Sequence, residues 1–437
     1  MQKSPWLGIG SYADPEKSKS SYKFCGRTTA ANAIFAMVDN NLVITIYGRT
    51  GVGKTSILNA GVFPILRTHK YIPVSIRLSI DTIQGSSYSE CIVKRITEEI
   101  NNINGRIDSL SDIEKLFTSI NNPDFLWHYF SSTTFYNEEG EEVYPVIVLD
   151  QFEETLLTNN EQTSFLLKQI NSLTDDSMDV SNFTGYTDST NFRFILTIRE
   201  DDLFVLEDTL EKHNLPELKQ NRYRLASLTD EEASEIIHLG KEFIKPEELD
   251  EITSRIVALS KDEFKNISTN ILSLLCNQLF IHSNGQITLQ TVKVFSENPL
   301  DSFYNDCMEH VSQETRDFIE SELVEERRRR IVRKSDFLSH VNPTDAQTLL
   351  SGEYRILQDV ISGNTECVEL IHDSIARTIY LQKDISKFKL KTKKLLRSNK
   401  RRKFSLYILA FILLSATVFG VILWHQNRTL SQSIGKQ

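Results

Sequence analysis

Leu42-Val43-Ile44-Thr45-Ile46-Tyr47-Gly48-Arg49-Thr50-Gly51-Val52-Gly53-Lys54-Thr55-Ser56 is the stretch that decides the fold. Its first six residues form a run rich in β-branched side chains, which reads as a buried strand. Two glycines separated by four residues follow, then Lys54 and Thr55, and Ser56-Ile57-Leu58-Asn59-Ala60 opens a helix. That order suits phosphate: glycines let the backbone fold round the anion, and the free N–H groups of the helix point at it. Gly48 to Ser56 therefore form the predicted cradle, with Lys54 reaching the β- and γ-oxygens and the Thr55 hydroxyl holding Mg²⁺. The expected ligand is a nucleoside triphosphate.

Val146-Ile147-Val148-Leu149-Asp150 is the companion signal, an apolar strand ending in an acid that would hold Mg²⁺ opposite Thr55. Gln151-Phe152-Glu153-Glu154 follows at once; Glu153, with Glu154 as second choice, could orient or deprotonate the attacking water. A solvent-facing acidic turn is the bland alternative. A further strand, Phe192–Ile198, is closed by Arg199, placed to sense a γ-phosphate at the edge of a crevice or, more plainly, to pair with Glu200 or Asp202. Other strand candidates are Ile72–Leu78 and Tyr223–Ala226. Helices are expected at Thr28–Val38, Ser89–Ile103 and Ser111–Ile120, and Phe125–Phe130 reads as core. Strands alternating with helices predict a parallel sheet covered on both faces. From Thr229 the pattern turns all-helical, and residues 301–382 mix helices with short strands such as Cys367–Ile371.

The net charge of −10 conceals an asymmetry. Lys383 to Lys403 holds eleven Lys or Arg against Asp384 alone, which leaves 36 basic and 58 acidic residues in 1–382, a net of −22. A body that acidic is poorly suited to duplex DNA, so a nucleic-acid partner is not expected. The five cysteines are odd in number and without ligand spacing, which argues for a reducing compartment and against zinc. Met1-Gln2-Lys3-Ser4-Pro5-Trp6 lacks the apolar core of a signal peptide. Phe404 to Trp424, 21 residues without a charge, has the length and interfacial aromatics of a membrane-spanning helix. The basic run before it places the N-terminal body on the cytoplasmic side, and hence the chain at the cytoplasmic membrane. The Arg327–Arg330 run reads as a solvated helix face, and His372, alone in its stretch, as an ordinary structural histidine.

Together these motifs resemble the novel STAND NTPases, signal-transduction ATPases related to NACHT and NB-ARC switches. Ser4-Pro5-Trp6-Leu7-Gly8 followed by Phe24-Cys25-Gly26-Arg27 is similar to that family's start. Asn59-Ala60-Gly61-Val62-Phe63-Pro64-Ile65-Leu66-Arg67, the Asp150–Glu154 box, Arg199-Glu200-Asp201 and Leu370-Ile371-His372-Asp373 follow in its order. The resemblance implies an N-terminal segment (1–40), an AAA+-like P-loop NTPase core (41–228), a helical domain (229–300) and a winged-helix domain (301–382). A basic juxtamembrane helix (383–403), the membrane span (404–424) and a short tail (425–437) complete it. It also implies that His372 touches the β-phosphate of ADP in a closed state, and that Arg27 and Trp6 lie near base and sugar. The proline that the family carries near the adenine is missing from Lys265–Asn270. Relatives carry a large C-terminal sensor; here only 425–437 follow the span, which leaves sensing to a partner or to a longer protein.

The function expected from this reading is a membrane-anchored ATP/ADP switch in signalling or defence. Slow Mg²⁺-dependent hydrolysis would reset it, and ATP would favour an open, homo-oligomeric form. A constitutive AAA+-like ATPase, remodelling or DNA-associated, and a nucleotide-bound membrane scaffold are the alternatives.

Overall fold

The computed structural model describes residues 3–18, 22–81, 86–109, 122–158, 160–174, 192–262, 264–283, 285–294, 299–351, 354–362, 365–384 and 417. Its main sheet comprises β1 (Val43–Gly48), β2 (Tyr71–Ile76), β3 (Arg106–Ser109), β4 (Thr133–Tyr136), β5 (Glu142–Leu149), β6 (Arg193–Arg199) and β7 (Arg222–Arg224). Five of these run parallel in the order β7-β1-β6-β5-β2, while β4 and β3 continue antiparallel from the start of β5. The expected parallel sheet and P-loop-type α/β fold are therefore present, with the last core strand slightly earlier than the sequence pattern placed it.

Both faces are covered, and the two-residue period of a strand shows why the apolar runs are continuous. Val43 of β1 and Ile147 of β5 face the helices Tyr88–Asn102, Phe125–Ser131 and Asn160–Ser172, packed with Phe130, Phe192 and Phe194. Ile44, Ile46 and Val148 face the other side, against Ile34 and Val38 of Thr28–Asn40 and Leu66 of Phe63–Thr68. The helix after the phosphate loop carries one π-turn, Leu58–Val62, ending where Phe63 N–H bonds the Leu58 carbonyl. Pro64 lies just beyond; it has no N–H and its ring crowds the carbonyl four residues back, which favours this shift of register.

Beyond β7, a capping box of Thr229 and Glu232 starts the helix Asp230–Ile237, and Leu249–Leu259, Thr269–His282 and Leu289–Val294 follow. Trp6, fully buried, plugs this helical region and donates from Nε1 to the Ile236 carbonyl at 2.8 Å. Residues 8–14 then cross to the core: Gly8 N–H bonds Ser273 Oγ, Tyr12 N–H bonds Ser56 Oγ, and Asp14 pairs with Arg67. Residues 299–378 contribute the helices Pro299–Glu309, Gln313–Glu322, Lys334–His340 and Pro343–Leu350. They also form the hairpin β8 (Val324–Glu325) and β9 (Arg328–Arg329), and a sheet of β10 (Val332–Arg333), β11 (Leu357–Ser362) and β12 (Thr365–Leu370) in the order β10-β12-β11. The arginine run thus lies in a hairpin and not on a helix face: Arg328 and Arg329 turn toward the core, while Arg327 and Arg330 stay exposed.

Among the described residues no helix is long and apolar enough to cross a membrane. The expected span Phe404–Trp424, apart from Thr417, lies outside the described residues, as do 385–403 and the expected helix Ser111–Ile120.

Trp6 leaves no room at Gly240, where an added Cβ would lie 2.1 Å from the indole. Gly240→Ala should therefore cost about 1–3 kcal/mol by overpacking, read as a lowered melting temperature. An unshifted transition would show that the indole is not seated there.

Candidate nucleotide site

The order β1-β6-β5 puts a strand between the one that feeds the phosphate loop and the one that ends in Asp150. Register then decides who meets whom. Gly48 lies opposite Arg199 and Ile46 opposite Thr197, while Leu149 pairs with Leu196, so Asp150 emerges beside Thr197. Thr197 Oγ1 donates to Asp150 Oδ1 at 2.6 Å, and Thr55 Oγ1 donates to Asp150 Oδ2 at 3.0 Å. One hydroxyl and one carboxylate at the edge of an anion cradle suit Mg²⁺, which keeps most of its water and takes its other oxygens from phosphate.

Gly51 and Gly53 have φ of +81° and +95°, values that side chains disfavour, and they let the loop curl before the helix at Lys54. Lys54 Nζ lies over the loop carbonyls, 2.8 Å from Gly48 O. Burial lowers its pKa, with Glu153 and Asp150 opposing, so an anion placed here would find a cation in want of charge compensation. A cavity of about 230 Å³ opens in front of Lys54. It is lined by Thr50, Gly51, Gly53, Lys54, Thr55 and Ser56 from the loop, and by Asp150, Glu153 and Arg199 from the neighbouring strand ends. Gly10 and Ser11 border it from the N-terminal strap, Asn270 from the helical region, and Arg329, His372 and Asp373 from the C-terminal region. A smaller, mostly apolar recess shares Gly10, Gly53, Ser56 and Asn270 with it and is walled by Tyr12, Phe24, Val52, Leu228 and Ile236. A cavity lined by the phosphate loop and charged side chains, beside a mostly apolar recess, suits a nucleotide better than a purely apolar ligand.

Glu153 is 1% exposed. Burial lifts its pKa to about 7 against the pull of Arg199 and Lys54. Arg199 Nε holds its Oε1 at 2.9 Å, while Oε2 is buried with no hydrogen-bond partner among the described residues. Glu154 points elsewhere. Burial would raise it, but Arg77, which bonds both its oxygens, and Ser79 outweigh that and hold it ionised below its ordinary range. Of the two expected candidates, then, only Glu153 faces the cavity. Arg199 pairs with neither Glu200 nor Asp202. It bridges Glu153 and Asp373, whose Oδ2 is 2.6 Å from Nη2. Glu200 pairs with Arg224, and Asp202 with Arg328.

His372 stands over the phosphate loop, its Cε1 3.6 Å from where a Gly51 Cβ would be. Its Nδ1 accepts from Ser374 N–H at 3.0 Å, and the Asn270 amide lies against the ring. Burial, aided by Arg329, Arg199 and Lys54 and opposed by Asp373, pushes its pKa down to about 4, so the ring is neutral at physiological pH. Arg27 is buried beside the base recess and donates to the carbonyls of Val52 and Ala226, tying the loop to the end of β7. Of the other expected loop residues, Gly48 is buried against Leu225, and Arg49 is exposed and pairs with Asp262. Trp6, expected near base and sugar, lines neither compartment; the aromatic walls of the apolar recess are Tyr12 and Phe24.

Several residues escaped the sequence reading. Thr197, Asn270 and Arg329 carry no motif of their own. Arg77 did have a signal: it closes a strand at the crevice edge, the reasoning that singled out Arg199.

A strand–loop–helix cradle, a strand-end acid beside the loop hydroxyl and a buried glutamate make this a P-loop NTPase that binds nucleotide. Residues 5–291 match the family novel STAND NTPase 1, and the chain belongs to that family. Comparison with curated proteins found no match. Solved structures that resemble it include Aeropyrum pernix ORC1 in complex with DNA, 12% identical over 84% of this chain and 94% of that one, TM-score 0.40. Aeropyrum pernix ORC2 with ADPNP and ADP is 11% identical over 87% and 100%, TM-score 0.43. A Walker-type ATPase of Pyrococcus abyssi is 12% identical over 84% and 98%, TM-score 0.40. At these values the likenesses carry nothing further about this chain.

The raised pKa of Glu153 makes its ionisation oppose folding. Its contribution to stability is intact below the unfolded value near 4.5 and is lost as pH rises through about 7. Glu153→Gln should accordingly melt roughly 2–4 °C above the nucleotide-free parent at pH 8, the gain closing toward pH 5. A pH-independent difference in calorimetry would mean that Glu153 ionises in the ordinary carboxylate range.

Proposed function

We propose that this protein is an ATP/ADP-dependent switch whose closed form is the arrangement described above. The supporting observation is that Arg199, placed to meet a γ-phosphate, is shared between Glu153 of the core and Asp373 of the C-terminal region. A γ-phosphate that took Arg199 would loosen Asp373, and with it the C-terminal region, so ATP and ADP would favour different states by their differential contacts. Lys54 would bind the β- and γ-oxygens, and Thr55 and Asp150 the Mg²⁺ shell. Glu153 would orient or deprotonate water, and the neutral imidazole of His372 would donate to the β-phosphate of ADP. The helices and three-stranded antiparallel sheet of residues 299–378 fit a winged-helix domain that, with the helical region, closes over the nucleotide.

The membrane enters this reading through Phe404–Trp424 and the basic run before it. Together they favour a single-pass anchor with the NTPase on the cytoplasmic side. Opening would expose surface for self-association and for a signalling or defence partner. Hydrolysis serves as a reset rather than as the main output.

The test is to purify the protein, identify the nucleotide carried with it, and measure turnover. Retained ADP and a rate far below the roughly 1–10³ s⁻¹ of ordinary enzymes support the switch. Lys54→Ala should lose nucleotide altogether, and His372→Ala should release ADP faster. Rapid turnover without a trigger would sink the reading in favour of a constitutive ATPase.

A further inference from the structure

The arginine run 327–330 has no part in the scheme above, yet one of its members reaches the phosphate cavity. Arg329 ends the hairpin of β8 and β9, and its side chain is 8% exposed. Nη2 donates to Gln151 Oε1 at 2.9 Å. Nη1 donates to the carbonyls of Leu370 and Ile371 at 3.3 and 3.4 Å and pairs with Glu369 at 3.2 Å. The backbone N–H of Arg329 bonds Asp373 Oδ1 at 3.1 Å. Each contact but one thus falls on residues 369–373, the stretch that carries His372 and Asp373.

The exception, Gln151, is the first residue after Asp150. Its φ of +54° is uncommon for a non-glycine residue, and its N–H is held by Asp150 Oδ1 and Thr197 Oγ1 at 3.1 and 2.9 Å. The backbone that presents the metal-side acid also presents this amide to the arginine. Only a planar fork with donors at both edges can hold two carbonyls on one side and an amide oxygen on the other; an ammonium cannot.

We propose that Arg329 is the positioning residue that fastens the His372–Asp373 turn to the carboxylate box after β5, acting through Gln151. Its consequence, slower loss of ADP, rests on the switch reading; its geometry does not. Glu369 keeps Arg77 at 2.9 Å and a bond from Gln358 when Arg329 changes, so no buried carboxylate is orphaned. Arg329→Lys preserves the charge but not the fork. Gln151→Asn tolerates the left-handed backbone but is too short to reach the arginine.

In the full-length protein, hydrogen exchange of amides 371–375 and the dissociation rate of a fluorescent ADP analogue test this. Those amides include Ile371 bonded to Ile356 O and Ile375 bonded to His372 O. Both quantities should rise about tenfold in Arg329→Lys and again in Gln151→Asn, with the double variant no faster than either. Unchanged exchange in Arg329→Lys, or single effects that multiply in the double variant, would overturn the proposal. If Arg329→Lys does not fold, exchange in Gln151→Asn decides alone. Rapid ADP loss from the parent protein would count against the switch reading, while exchange would still decide the role of Arg329.

Discussion

Arg199 sits between two carboxylates that belong to different parts of the chain, Glu153 after β5 and Asp373 after β12. A guanidinium and two acids removed from water are tolerable only together, because any one left alone would bear its full desolvation cost. Burial would lower Arg199, but Asp373 and Glu153 outweigh it and keep the cation strongly held. Burial would raise Asp373, but Arg329 and Arg199 likewise keep it ionised. Buried ion pairs of this kind add little net stability, but they specify one docking geometry. Arg199 thus joins Glu153 of the nucleotide core to Asp373 of the C-terminal region.

The same logic organises the surrounding charges. Arg77 joins Glu154 to the fully buried Glu369, and Arg328 joins the hairpin to Asp202. The Arg77–Glu369 and Arg328–Asp202 pairs span the core and the C-terminal region, and each lies near the carboxyl ends of the parallel strands. In an open α/β sheet that edge is where loops diverge and a ligand can enter. An anionic ligand in the cavity could pair with Arg77 and Arg199, which line it, in place of their carboxylates. An apolar one could not do so without leaving cations unpaired.

How much of this was legible in the sequence depended on whether a residue's role is local. The phosphate loop, Asp150 and the alternating strands follow from chain order and side-chain period, which a single sequence displays. Arg199 was legible as a strand-end cation, but its partners were not, since Glu153 and Asp373 lie 46 and 174 residues away from it. Glu153 and Glu154 are adjacent and chemically equivalent; Arg77 and Ser79 on the one and Arg199 on the other separate their roles. Trp6 looked like a nucleotide contact because of its neighbours in the family's opening motif. Gly240 instead leaves a slot for it inside the helical region. The arginine run showed helix-like polarity, and the two-stranded hairpin that redirects it is too short to leave a periodic trace.

By itself, then, the sequence determined that a strand–loop–helix cradle exists, that an acid follows a second strand, and that the central strands run parallel. Those features depend on hydrogen bonding and burial within short spans of chain. The tertiary structure decided which glutamate faces the cavity, which acids share Arg199, and which arginine links the hairpin to Gln151. These are outcomes of strand order, register and the pairing of buried charges between distant segments. No local pattern encodes them, because the energy that selects them arises only when the segments come together.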